Sequence, residues 1–204
     1  MNEYYSITAP VEAEIKVKDS RFIAFLRPIE TREQAEACLV ERVRQYRDAT
    51  HHCYAFRIGF DDRLIAKASD AGEPAGTAGR PILQALERRN LTNVLAVVTR
   101  YFGGTKLGPG GLSRAYGSTT AAAIDLATLV AVYPKQTVSL RFAYPQHSAV
   151  QKILRRVEAT SIRESFGVEI EQLIEIRAHR SEEAQQLLRD ACAGKISIEV
   201  ITKK

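Results

Sequence analysis

The chain has 204 residues, 45% of them hydrophobic, with 29 lysines and arginines against 24 acidic residues and a formal net charge of +5. That length suits one large domain or two small ones with real cores. No run of eighteen apolar residues and no basic, apolar leader is visible, so neither a membrane span nor a signal peptide is expected and the cytoplasm is the default compartment.

Residues 1 to 29 read as extended structure: Val11 to Lys18 alternates, Lys18-Asp19-Ser20 makes a turn, and Arg21 to Ile29 mixes apolar and basic side chains. Thr31-Arg32-Glu33-Gln34 has the spacing of a capping box and opens a helix over about 32 to 46. From His52 the chain alternates again, with Tyr54, Phe56, Ile58 and Phe60 on one strand face and Cys53, Ala55 and Arg57 on the other. Gly59 to Arg63 makes a hairpin turn, and Leu64 to Ser69 returns. Arg80-Pro81 begins a short helix through about Arg89, proline being well placed in a first helical turn. Val94 to Val98 is apolar without alternation, as in a strand covered on both faces. A helical stripe then runs through Leu112, Ala115, Tyr116, Thr119, Ala122, Ala123, Leu126 and Val130.

Residues 131 to 136 mark a boundary, giving domains at 1–134 and 135–204. The second domain reads strand (Thr137–Ala143), helix (about His147–Ala159), two strands within Ser161–Ala178, helix (Ser181–Ala193) and strand (Lys195–Thr202). That is the βαββαβ order of a ferredoxin-like fold within the α+β class. The first of its helices offers an apolar face of Val150, Ile153, Leu154 and Val157, and the second one of Ala184, Leu187, Leu188 and Ala191.

Nine of the twelve glycines fall between residues 70 and 117. Eight of them form two turns, Gly72–Gly79 and Gly103–Gly111, each leading into a helix. Glycine weakens regular structure, so this density predicts special backbone angles or close approach by another group. Residues 80 to 117 also hold Arg80, Arg88, Arg89, Arg100, Lys106 and Arg114 against Glu87 alone, which accounts for the whole net charge. Positive potential beside glycine-rich backbone favours an anionic partner, RNA or a phosphate group; the alternative is a solvated surface charge bias that keeps the protein soluble. At the second turn, N–H groups at a helix start, glycines and the nearby Lys106 and Arg114 suit a phosphate or carboxylate. Neither a Walker loop nor a dinucleotide fingerprint is present. The other reading is a tight turn whose glycines serve packing only. Tyr101, Phe102 and Tyr116 flank the loop and either stack on RNA bases or belong to the core.

Secondary candidates are His51, His52 and Glu73. Adjacent strand residues point to opposite faces, which weakens shared coordination by His51-His52-Cys53. Asp70 and Glu73 lack a third ligand, so no metal is expected, and Glu73 serves to cap nearby backbone. Cys38, Cys53 and Cys192 are odd in number, far apart and set among apolar residues, and read as packed thiols.

Gly72-Glu73-Pro74-Ala75-Gly76-Thr77-Ala78-Gly79-Arg80-Pro81 and the block from Val97 to Leu112, with Arg100-Tyr101-Phe102-Gly103-Gly104-Thr105-Lys106-Leu107-Gly108-Pro109-Gly110-Gly111 at its heart, resemble the signatures of the YigZ/IMPACT family. Lys18-Asp19-Ser20-Arg21-Phe22 and His51-His52-Cys53 look like that family too. The resemblance implies an N-terminal domain of the ribosomal-protein-S5 domain-2-like class and a C-terminal domain similar to one in elongation factor G. In eukaryotic relatives it implies translational control through competition for the activator of a kinase of an initiation factor, a role that relies in part on an extra RWD domain not expected here. No catalytic residue and no cofactor carries over. The expectation is therefore a non-enzymatic module that binds RNA or a ribosome-associated factor through Arg80, Arg100, Gly103, Gly104, Lys106, Gly110, Gly111 and Arg114. The alternative is an enzyme or sensor that takes a phosphorylated small molecule at the 103–111 loop. Hydrolysis using His52 and Cys53 is a third reading.

Overall fold

A computed structural model describes residues 4–201 and divides the chain into two compact units, Met1–Val132 and Tyr133–Lys204. The parts of the strand expectations that fall on residues 1–3 and on Thr202 lie outside the described residues.

The first unit contains β1 (Tyr4–Ile7), β2 (Val11–Val17), β3 (Ser20–Pro28), α1 (Arg32–Gln45), β4 (His51–Ile58), β5 (Ile65–Ser69), α2 (Gly79–Arg88), β6 (Val94–Tyr101), α3 (Gly108–Leu126) and β7 (Leu129–Val132). Five strands form an antiparallel sheet in the order β2-β3-β6-β4-β5. The central strand explains its own lack of alternation. Val94, Ala96 and Val98 of β6 pack with Ile82 and Leu86 of α2 and with Ala115 and Tyr116 of α3. Leu95 and Val97, pointing the opposite way, join Ala35 and Cys38 of α1. Strand β4 divides as its alternation predicts, Phe56 towards α1 and Cys53 and Ala55 towards α2 and α3.

Thr31 caps α1, its hydroxyl accepting from the Gln34 N–H at 3.3 Å, while the Gln34 side chain accepts from the Glu30 N–H rather than from Thr31. The turn from β4 to β5 is a single 3₁₀ turn at Asp61–Arg63. The helical stripe ends sooner than its spacing predicts. Ala127 is already extended, Leu126 is exposed, and Val130 lies in β7, paired with Ser6 of β1. Thr128, Val130 and Val132 are β-branched and fit a pleated strand better than a helix.

The second unit contains β8 (Lys135–Phe142), α4 (His147–Arg156), β9 (Thr160–Phe166), β10 (Ile170–Arg177), α5 (Ser181–Ala191) and β11 (Ile196–Ile201), with sheet order β11-β8-β10-β9. Every neighbouring pair is antiparallel, the arrangement of a ferredoxin-like split βαβ domain. Val150 and Leu154 of α4 and Ala184 and Leu188 of α5 cover Val138, Leu140, Ile170 and Ile174. Cys192, just beyond α5, takes the buried place that the helical spacing assigns to Ala191, which is exposed. Cys38, Cys53 and Cys192 are all free and buried.

Candidate functional site

The four separated motif blocks meet around one buried polar network. β6 ends by delivering Arg100, whose guanidinium is turned inward: Nη1 donates to Glu73 Oε1 at 2.6 Å, with the two side chains only 6% and 3% exposed. Tyr116 on α3 donates its hydroxyl to the same Glu73 oxygen at 2.8 Å. Cys53 Sγ lies 2.9 Å from the Asp70 carbonyl and 3.4 Å from the Tyr116 hydroxyl. Arg100 Nη2 reaches Ser20 Oγ at 3.4 Å, and that hydroxyl also accepts from the Gly103 N–H at 3.2 Å. The rings of Phe22 and Phe102 each lie 5.3 Å from the guanidinium carbon. Residues from β3, β4, both glycine turns and α3 are thereby tied to one carboxylate.

This network separates Arg100 from the other basic candidates and changes the part assigned to Glu73. A charge removed from water at that depth must be paired, and Glu73 is the pair. Backbone capping falls instead to Asp70. Its Oδ1 accepts from the N–H groups of Ala78 (2.9 Å) and Gly79 (2.8 Å), and its Oδ2 from Gly76 (2.8 Å). Burial works to raise the Asp70 carboxyl, but the three N–H donors together outweigh it and hold the group below its ordinary value of 3.8. The start of α2 is an anion site occupied by the chain's own carboxylate.

His51 and His52 are brought to different places. His51 Nδ1 donates to the Ala71 carbonyl at 2.9 Å. His52 faces the other way, its Nε2 donating to the Tyr46 carbonyl at 3.2 Å, so that Nδ1 accepts from the Thr99 hydroxyl at 3.1 Å. Burial lowers the His52 pKa. Burial also pushes the Cys53 thiol up to about 12, and it raises Tyr116 well above the ordinary phenol. A thiol so disposed is a poor nucleophile at neutral pH, and its sequence neighbour His52 points away from it. Among the described residues no group of three or more His, Cys, Asp or Glu is placed to hold a metal, and no helix is long and apolar enough to cross a membrane.

The second glycine turn is pinned from one side. Thr105 donates to Asp19 Oδ2 at 3.1 Å, and Gly103 packs so tightly on the Asp19 carbonyl that a Cβ would overlap it. Gly104 and Gly108 have φ of +90° and +69°, angles natural to glycine. α3 begins at Gly108, so Gly110 and Gly111 belong to its first turn rather than to the preceding loop, and no side chain among the described residues caps it. Lys106 and Arg114 are exposed there without an acidic partner among the described residues, and so is Arg80 at the start of α2. Of the aromatics, Tyr116 is fully buried, Tyr101 is half-buried and donates to Asp48, and Phe102 is 44% exposed. Arg88 and Gln84, absent from the sequence-derived site, continue the row of Arg80 along α2 at steps of four residues. That spacing was the signal for them.

The fold is that of a two-domain α+β protein, an S5 domain-2-like unit followed by a ferredoxin-like one. Residues 18–124 match the Impact N-terminal domain, and the chain belongs to the IMPACT family. It is 34% identical over 200 residues to the IMPACT family member YigZ of Escherichia coli, covering 97% of this chain and 98% of that one. It is 44% identical over 125 residues to the IMPACT family member YvyE of Bacillus subtilis, covering 61% of this chain and 57% of the relative. A solved structure described as that of a hypothetical protein aligns over 100% of both chains with a TM-score of 0.72 and 31% identity.

Proposed function

We propose that the protein is a non-enzymatic, cytoplasmic factor that tunes translation by binding RNA or a ribosome-associated surface. Binding runs through Lys106, Arg114 and Arg80, with Gly103, Gly104, Gly110 and Gly111 allowing the partner's phosphates to approach the backbone. The observation that carries this reading is a division among the motif residues. Groups capable of chemistry, namely Cys53, Glu73 and Tyr116, are spent on the buried network, whereas the exposed basic side chains Arg80, Lys106 and Arg114 have no carboxylate among the described residues to neutralise them. Exposed, unpaired cations beside glycine backbone are what a phosphate-bearing partner requires.

Titrating wild type and the Lys106→Ala/Arg114→Ala double variant with RNA at several salt concentrations tests this. The expected result is wild-type binding that weakens steeply with salt and a variant that binds less at every concentration. Absence of RNA affinity at low salt sinks the proposal. A second reading, a sensor or enzyme for a phosphorylated small molecule, draws on the uncapped first turn of α3 beside Lys106 and Arg114. Saturable mononucleotide binding without RNA affinity selects it.

A further inference from the structure

Helices α2 and α3 run side by side in the same direction. Pro81 lies over Gly117, and eight residues further along the chain in each case Arg89, just past the end of α2, meets Asp125 of α3 at 2.5 Å. Between them is a groove of about 590 Å³. Its floor is low because Ala85, Gly117 and Ala121 carry little or no side chain. One rim carries Gln84 and Arg88, and the other Arg114 and Ser118, each pair four residues apart and so on one helical face. Arg88, Arg89 and Arg114 bring three guanidinium groups to the lining, and no carboxylate lines it among the described residues. Asp125 pairs with Arg89, leaving Arg88 and Arg114 without an acidic partner among the described residues.

We infer that this groove seats the sugar–phosphate backbone of RNA and holds it without reading bases, an inference that rests on the RNA-binding reading above. A guanidinium presents its donors in a planar fork that matches phosphate oxygens, and the serine and glutamine side chains add neutral hydrogen bonds. Among the described residues no aromatic ring lines the groove, so it lacks the platform on which bases stack. It also lacks a large exposed apolar side chain of the kind that anchors a protein partner; Ile124, its largest aliphatic lining residue, is buried in the core. From Ser113 to Ile124, α3 runs about 16 Å at a rise of about 1.5 Å per residue. Successive phosphates of a nucleic-acid strand lie much closer together than that length, so more than one falls within reach of the rims.

The test is fluorescence anisotropy with labelled oligo-U and oligo-A of equal length, across a salt series, on wild type, Arg88→Ala, Ala121→Leu and Lys106→Ala, with thermal unfolding as the check that each variant folds. Ala121→Leu fills the groove without changing charge, and Lys106 lies outside it. Both groove variants are expected to weaken binding of the two oligonucleotides equally, and Arg88→Ala to shallow the log–log salt slope by about 1. Binding that drops in Lys106→Ala but is unchanged in Arg88→Ala and Ala121→Leu overturns the groove and leaves the RNA reading intact. No RNA binding by wild type overturns both. A preference between oligo-A and oligo-U that the groove variants abolish overturns backbone-only recognition. Displacement of RNA by polyglutamate at equal charge concentration, sensitive to Arg88→Ala, overturns RNA as the occupant in favour of an acidic protein.

Discussion

The two glycine-rich turns look alike in sequence and differ in how their helix starts are satisfied. At the first, Asp70 sits just upstream and folds back to accept three N–H groups at the start of α2, so the anion is supplied by the chain itself. At the second, the preceding residues are the end of β6, and the nearby carboxylate of Asp19 is committed to Thr105 on the far side of the loop. The start of α3 therefore has no capping side chain among the described residues, and its cations face solvent. A glycine-rich turn at a helix start signals an anion, and the upstream residues decide whether that anion is internal or belongs to a partner.

Both turns hang from the Glu73–Arg100 pair, so breaking it gives the largest effect. Glu73→Ala leaves the Arg100 guanidinium buried without its counter-charge and is expected to cost about 3–5 kcal/mol in urea unfolding. A loss below about 1 kcal/mol would show that Arg100 swings out to water and that the network does not hold the turns. Gly103→Ala comes next. A Cβ there overlaps the Asp19 carbonyl, and the backbone on both sides must shift, at a cost of about 1–3 kcal/mol. A crystal structure of that variant should show the second turn displaced from the β2–β3 turn while the first keeps its place.

Much of this fold was legible because it rests on periodicity. The unbroken apolar run of β6, the alternation of β4 and the faces of α4 and α5 each have one solution once a sheet must be covered. What periodicity could not supply was the end of α3, where β-branched Thr128 and Val130 turn the chain into a strand paired with β1. The site was legible as a location and not as a set of roles. Arg100 and Lys106 stand six residues apart in one basic stretch, yet one is buried against Glu73 and the other exposed. That distinction depends on Glu73 arriving from 27 residues upstream, a long-range contact with no local signature. Asp70 was equally hidden, because a carboxylate before a glycine turn reads the same whether it caps, catalyses or binds metal.

Asp70→Asn tests the first turn by itself. Asparagine retains one acceptor oxygen and loses the charge, so a destabilisation of about 1–3 kcal/mol at neutral pH is expected, less than for Glu73→Ala. The pH dependence carries a sign. The folded-state carboxyl lies below its ordinary value of 3.8, so the native state holds the charged form more tightly than the unfolded chain does. Its contribution is complete above that value and is lost as pH falls through the lower, folded-state value. Wild type should therefore lose stability in that acid window faster than Asp70→Asn. Parallel curves would mean that the three N–H donors do not favour the charged form.

The exposed cations beside the second turn should show the smallest change in stability and of opposite sign. Lys106 and Arg114 crowd positive charge at the α3 N-terminus, which already carries the positive end of the helix dipole. Removing either relieves repulsion and breaks no ion pair among the described residues, so Lys106→Ala and Arg114→Ala are expected to be neutral or stabilising by about 0.3 kcal/mol at low salt. Salt should erase the gain, because both charges are exposed and screened. A loss above about 1 kcal/mol in either variant would show that these cations pack as structural parts, as Arg100 does. Unfolding of the two variants at low and high salt separates these outcomes, since repulsion is abolished by screening and lost packing is not.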